Sequence, residues 1–189
     1  QLLSQVQRFE SAAQLLKRYG EKPPMGPKPE MSAEELFASM PESVALMERT
    51  EELDKTLAAA RSEIEKKETL IETLLPWERL DARIEDIHAT RSVRYAVGFL
   101  PLCAVEQVEA AGFAVEAFPG VRETAVLVAS AASEYDEMQR ALNELDFAEF
   151  NFPAMKGTPR MNIRALETEI ASLRETEAQT VNALETVAK

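Results

Sequence analysis

Two stretches of helical spacing flank a stretch of strict alternation. Between Pro41 and Leu75, Leu46, Thr50, Leu53, Leu57, Ala60, Ile64, Lys67, Ile71 and Leu74 follow alternating steps of four and three, and seven of these nine are apolar. That is a heptad seam with charged residues around it. From 160 to 189 the seam returns as Ile163, Leu166, Ile170, Leu173, Glu177, Thr180, Leu184 and Val187, with six of eight apolar. At 1.5 Å per residue, helices of about 30 residues reach roughly 45–50 Å. Neither buries its stripe alone, so the pattern predicts that the two pair antiparallel.

Ahead of them, Leu2, Val6, Phe9, Leu16 and Tyr19 mark one face of a first helix, stopped by Gly20 and the Pro-rich stretch Lys22–Pro29. Ser32-Ala33-Glu34-Glu35 reads as a capping box opening a short helix with Leu36, Phe37 and Met40, ended by Pro41.

The middle segment changes texture. Trp77–Ala89 predicts a helix with Leu80, Ile84 and Ile87 on one face. Ser92–Leu100 alternates as a strand, Ala104–Ala111 is a short helix with Gly112 as its stop, and Phe113–Phe118 and Thr124–Ser130 are two more strands. A helix over Ser133–Asp146 and a strand over Phe147–Phe152 complete a βαββαβ order, the ferredoxin-like signature. The fold class expected is α+β: a long antiparallel coiled coil carrying a ferredoxin-like lobe. Val93, Tyr95, Val97 and Phe99, with Val126 and Val128, form a bulky face suited to the two crossover helices. Ala96, Gly98, Ala114, Ala125 and Ala129, beside Leu127 and Phe118, form an opposite face of small residues, with Trp77–Ala89 as its first candidate cover.

Composition narrows the chemistry. Across 189 residues, 33 acidic against 21 basic side chains give a net charge of −12. That balance argues against a nucleic-acid binder and against docking on an anionic membrane surface. The excess concentrates in 76–159, with 14 acidic and 7 basic residues, so a basic protein surface is the natural partner there. One cysteine, Cys103, excludes an internal disulfide, and one histidine, His88, argues against a zinc cluster or His-based triad. Neither GxGxxG nor a phosphate loop occurs, and no apolar run reaches the roughly 20 residues of a membrane span. There is no signal-peptide pattern. Both ends lie inside amphipathic patterns, which suggests a piece of a larger protein.

Three active versions of the ferredoxin-like fold fail on residues. A metal-binding version wants CxxC after the first strand, where only Cys103 stands; an acyl-phosphate hydrolase wants an Arg in that loop, and none lies between Arg94 and Arg122. An RNA binder wants exposed aromatics with basic flanks, not an acidic lobe. Cys103, among Leu102, Ala104 and Val105, reads as a buried small hydrophobe, and His88 as a surface or capping histidine. Glu51/Glu52 and Asp136/Glu137 read as solvated faces, and Arg79 and Arg83, one turn apart, as partners for Glu78, Glu85 or Asp86 ahead of a dock for an acidic partner. The expectation is a non-enzyme with no cofactor and no metal.

The run Leu74-Leu75-Pro76-Trp77-Glu78-Arg79-Leu80-Asp81 ends a heptad helix. It leads into Val97-Gly98-Phe99-Leu100-Pro101, then Phe152-Pro153, Gly157-Thr158-Pro159 and a second heptad helix. This combination resembles the cytoplasmic N-terminal region of subunit I of the rotary V/A-type ATP synthases, subunit a in eukaryotic V-ATPases. The resemblance implies a helical fragment of the proximal end over 1–40, an outgoing coiled-coil helix over 41–75, a distal α/β lobe over 76–159 and a returning helix over 160–189. It further implies a non-catalytic stator component on the cytoplasmic side of a membrane-bound complex that couples ATP to proton transport. Its partners would be the peripheral-stalk E/G heterodimer and the remainder of the same subunit with its membrane domain. This segment itself would touch neither nucleic acid nor membrane. The candidate partner-binding residues are Glu134, Glu137 and Glu144, on the acidic side of the Ser133–Asp146 helix. The competing reading is a coiled-coil scaffold or dimerisation module with a protein-binding or small-ligand-sensing ferredoxin-like lobe.

Overall fold

A computed structural model of the chain describes residues 2–20 and 32–188. The Pro-rich stretch 22–29 lies outside the described residues. Five helices and four strands follow in the order α1 (Leu2–Tyr19), α2 (Ala33–Leu74), β1 (Val93–Pro101), α3 (Val105–Ala110), β2 (Ala114–Pro119), β3 (Glu123–Ala131), α4 (Tyr135–Glu144), β4 (Ala148–Glu149) and α5 (Pro159–Val187). They divide into two compact units, Gln1–Lys67 with Glu169–Lys189, and Glu68–Thr168.

In the first unit the predicted seams are inside. Leu53, Leu57, Ala60, Ile64, Ile170, Thr180 and Leu184 are buried. Leu53, Leu57 and Leu184 share a cluster with Leu15, Leu16 and Tyr19 of α1. Antiparallel running shows in the pairs across the helices: Arg61 bonds Glu177 at 2.6 Å and Lys67 bonds Glu169 at 2.5 Å. These bridges explain two polar seam positions, because Lys67 and Glu177 carry their charges to the rim on long stems. The buried Thr50 and Thr180 hydroxyls instead donate back one turn, to the Leu46 and Thr176 carbonyls at 2.8 and 2.7 Å.

Three expectations about the helices change. Leu46 is 45 % exposed, and its neighbour Met47 is buried in its place. Val6 is exposed, while Ala12 takes the buried position on α1. The Ser32 capping box forms, with the Ser32 N–H donating to Glu35 at 2.9 Å and the Glu35 N–H to Ser32 Oγ at 3.2 Å. The helix it opens nonetheless runs on through Pro41 as one element, α2. Pro41 lies within the helix at the cost of one backbone bond.

The second unit holds a four-stranded sheet in the order β2-β3-β1-β4, every pairing antiparallel. That order with two crossover helices is the ferredoxin-like arrangement expected. Gly112, at φ 91°, ends the α3 turn in the left-handed conformation that glycine adopts freely. β4 is only two residues long, against the six expected, and pairs Ala148 and Glu149 with Phe99 and Gly98.

The two faces are not assigned as the strands alone suggest. The register places Ala96 opposite Val128 and Gly98 opposite Val126, so these four share a face. Ala96, Leu100, Val126 and Val128 pack with Val108 of α3 and Met138 and Leu142 of α4. Val97 and Phe99 point the other way, with Ala125, Leu127 and Phe118, onto Trp77 and Leu80. Within each strand the alternation was right; which alternate set of β1 joins which set of β3 depends on one residue of register.

The segment 77–89 covers that second face, but not as a helix. Two 3₁₀ turns, Leu75–Trp77 and Ile84–Asp86, carry it. Its backbone bonds to the distant loop before α5 instead, the Ile84 N–H donating to the Gly157 carbonyl at 2.9 Å. Trp77 is fully buried within four phenylalanines: Phe150 stacks on it at 5.3 Å, and Phe99, Phe118 and Phe152 meet it at 5.2–6.1 Å in tilted or edge contacts. Leu74, Ile163 and Leu166 form a further cluster with Phe152 and Met155.

Candidate partner-binding surfaces

The expected contact residues sit on α4 and the turn before it. Met138 and Leu142 of α4 are buried against the sheet, which turns the other side of the helix outward. Glu134 lies in the 3₁₀ turn Ala132–Glu134, and Glu137 and Glu144, two helical turns apart, share one face of α4. All three are exposed. Among the described residues none of the three forms an ion pair; exposed Arg140, one turn from both Glu137 and Glu144, lies on the same face, so acidic charge predominates there without being alone.

Other singled-out residues resolve individually. Cys103 is exposed, not buried: the chain leaves β1 in an outward turn, carrying Leu102 out with it at 53 % exposure, and returns at buried Ala104. His88 is exposed, with Nδ1 donating to the Glu85 carbonyl at 3.0 Å. Glu51 receives both nitrogens of the Arg8 fork at 2.8 and 2.6 Å. Glu52 pairs with Arg49 at 2.7 Å.

Glu85 has a structural post. Its carboxylate accepts from the Gly157 N–H at 2.7 Å and meets Arg83 at 2.7 Å. The bond from its own backbone N–H, with those from Gly157 and Arg83, holds the carboxyl below its ordinary range against the opposing effect of partial burial. Arg83 therefore pairs as expected. Arg79 does not.

Arg79 lines a cleft of about 470 Å³ whose floor includes Phe99, Phe118 and Ala125. Its walls come from the end of α2 and from the β2–β3 hairpin, and its rim carries Leu75, 49 % exposed, and Val121, 95 % exposed. Arg122 lines it too, with Glu72, Glu78 and Glu123. No periodicity in the sequence marks this cleft. The one signal for it is Val121, an apolar residue placed directly after a Pro-Gly turn.

Among the described residues, no group of three or more His, Cys, Asp or Glu side chains is arranged to hold a metal. No helix among them is long and apolar enough to cross a membrane.

No protein-family model matches the sequence, and no curated protein matches it. Among solved structures, the chain is similar to the crystal structure of the cytoplasmic N-terminal domain of subunit I, homolog of subunit a, of V-ATPase. The match has 19 % identity and a TM-score of 0.51. It covers 98 % of this chain and 64 % of that one, so the chain spans about two thirds of its neighbour's length. The chain has the α+β fold of that domain.

Proposed function

We propose that this chain is a non-catalytic stator component of a rotary V/A-type ATPase. In this reading it lies on the cytoplasmic side of the membrane, within a membrane-bound complex. It links the peripheral-stalk E/G heterodimer to the membrane ion-translocating part of the same subunit during ATP-coupled proton transport. The observation that carries the reading is the fold likeness to the subunit I domain over 98 % of the chain. The residues support it from the chemical side: the singled-out His88, Cys103 and carboxylate pairs take structural or solvated places, and mechanical tethering requires no reacting group.

Residues 1–40 would then belong to the proximal end, 41–75 and 160–189 to the outgoing and returning arms, and 76–159 to the distal lobe. Within the lobe, Glu134, Glu137 and Glu144 would meet basic side chains of the stalk. Charges on an exposed rim act mainly on the association rate and its salt dependence. The test is calorimetric titration of the folded chain with purified E/G heterodimer. Saturable binding that weakens with salt is expected; no binding by the folded chain overturns the stator reading.

A further inference from the structure

We propose that a small hollow at the open edge of β1 binds a short aliphatic primary amine through its ammonium group. The assignment is independent of the stator reading. It begins with an unpaired piece of sheet. Strand β4 covers only Gly98 and Phe99 on its side of β1. Past it the Phe150 N–H donates to the Val97 carbonyl at 2.7 Å, and at the far end the Thr90 N–H donates to the Val93 carbonyl at 2.9 Å. Every second residue of a strand turns its backbone groups to the same side. Tyr95, midway between those two carbonyls, therefore presents its own N–H and carbonyl to that edge, and among the described residues no strand lies opposite it. Polar backbone groups need partners, and a gap of one residue is too short for an added strand to fill.

A cavity of about 150 Å³ opens at this gap, and hydrogen-bond acceptors dominate its lining. Glu149 supplies a carboxylate that, among the described residues, forms no ion pair. Gln139 donates its amide nitrogen to the Tyr135 hydroxyl at 3.2 Å, which leaves its oxygen as an acceptor. His88 donates from Nδ1 to the Glu85 carbonyl at 3.0 Å, which leaves Nε2 as an acceptor. The Tyr95 and Tyr135 rings add two π faces, which attract a cation. Among the described residues no lysine or arginine lines the cavity, and Arg94, next to Tyr95, carries its guanidinium to the Thr90 carbonyl instead. A carboxylate, several neutral acceptors and two phenol rings suit an ammonium group, which brings N–H donors on a positive centre. An anion would meet Glu149 with no cation to balance it, and an apolar ligand would leave the acceptors unpaired.

The test is an amide NMR titration of the full chain at neutral pH with n-butylamine, with n-butanol as an uncharged control of the same length. n-Butylamine is expected to give saturable shifts at the amides of Tyr95, Val97 and Asn151, and n-butanol to bind about fivefold more weakly or worse. Glu149→Gln keeps the shape of an exposed side chain. It should weaken butylamine binding about fivefold or more while the spectrum stays dispersed. Glu106→Gln, on α3 and outside the cavity, should leave the affinity unchanged. Shifts that do not saturate, equal binding of the alcohol, an unaltered affinity in Glu149→Gln, or an equal loss in Glu106→Gln would each overturn the assignment. Nα-acetyl-lysine N-methylamide carries the same butylammonium arm on a piece of backbone. If it binds more than about fivefold tighter than the free amine, the occupant is a lysine of a polypeptide and the free-amine assignment fails.

Discussion

Gly98 shows how much one missing side chain decides. A Cβ built there would lie 2.2 Å from the Ala148 carbonyl oxygen and 2.5 Å from Cζ of Phe147. The Phe147 ring crosses β1 where glycine leaves room, and the short strand β4 follows it. Gly98→Ala should therefore push β4 away and destabilise the chain by about 1–3 kcal/mol, the usual range for overpacking, read from the urea midpoint. Gly112→Ala meets open space and is penalised only by its φ of 91°, so about 1 kcal/mol is expected. Glu85 gives a second residue-level prediction, on pH. Its folded carboxyl titrates below its unfolded value, so the deprotonated group stabilises the fold above about pH 4.3. That contribution is lost as the pH falls through the folded value. Glu85→Gln should remove it, so the stability gap between wild type and variant should close as the pH drops from about 6 to about 3. A gap constant with pH would contradict the lowering of the carboxyl by its own backbone N–H, Gly157 and Arg83. The sequence marks Gly98 as part of a small-residue strand, yet nothing in it says that an aromatic ring from fifty residues on fills the space.

Among the elements, α2 and α5 carry the strongest sequence signal. Ile64 and Ile170 are 8 % and 6 % exposed, and each is a predicted seam position. Replacing either by Asp buries an unpaired carboxylate and should cost about 3–5 kcal/mol. Circular dichroism should then show fewer helical residues and a lower melting midpoint; unchanged helix content would refute the α2–α5 packing. The heptad spacing was legible because every turn of a long helix repeats the same demand, and errors at single positions such as Leu46 are outvoted by the rest. The segment 77–89 failed for the opposite reason. Its thirteen residues carry a helical spacing at Leu80, Ile84 and Ile87, and a signal that short yields to tertiary contacts. Here the bond from the Ile84 N–H to the Gly157 carbonyl, the bond from the Gly157 N–H to the Glu85 carboxylate, and the burial of Trp77 among phenylalanines win over local helix. Strand β4 ends at Glu149, although the Phe150 N–H still donates to the Val97 carbonyl at 2.7 Å, and Phe150 and Phe152 beyond it join the cluster around Trp77.

For the molecule as a whole, the second compact unit contains its own cores. Its sheet with α3 and α4, its aromatic cluster and its Leu74–Ile163–Leu166 cluster all lie within Glu68–Thr168. A fragment of those residues should fold alone, giving dispersed amide resonances and a Trp77 emission typical of burial. A random-coil spectrum would show that the unit depends on the rest of the chain. The helical seams and the succession of strands and crossover helices along the chain were written in local periodicity and turn residues, because each element displays its own repeat by itself. The partner-facing features were not. Arg79 forms no ion pair among the described residues and Val121 stands over an aromatic floor because separate elements meet there, and Cys103 is exposed because the turn after β1 runs outward; no periodicity records either. The same holds for the sheet faces: alternation says that side chains of β1 take two sides, while only its pairing with β3 says which side lies under α3 and α4. A pattern within one element follows from the covalent chain, but its orientation follows from the free energy of packing against others far along the sequence.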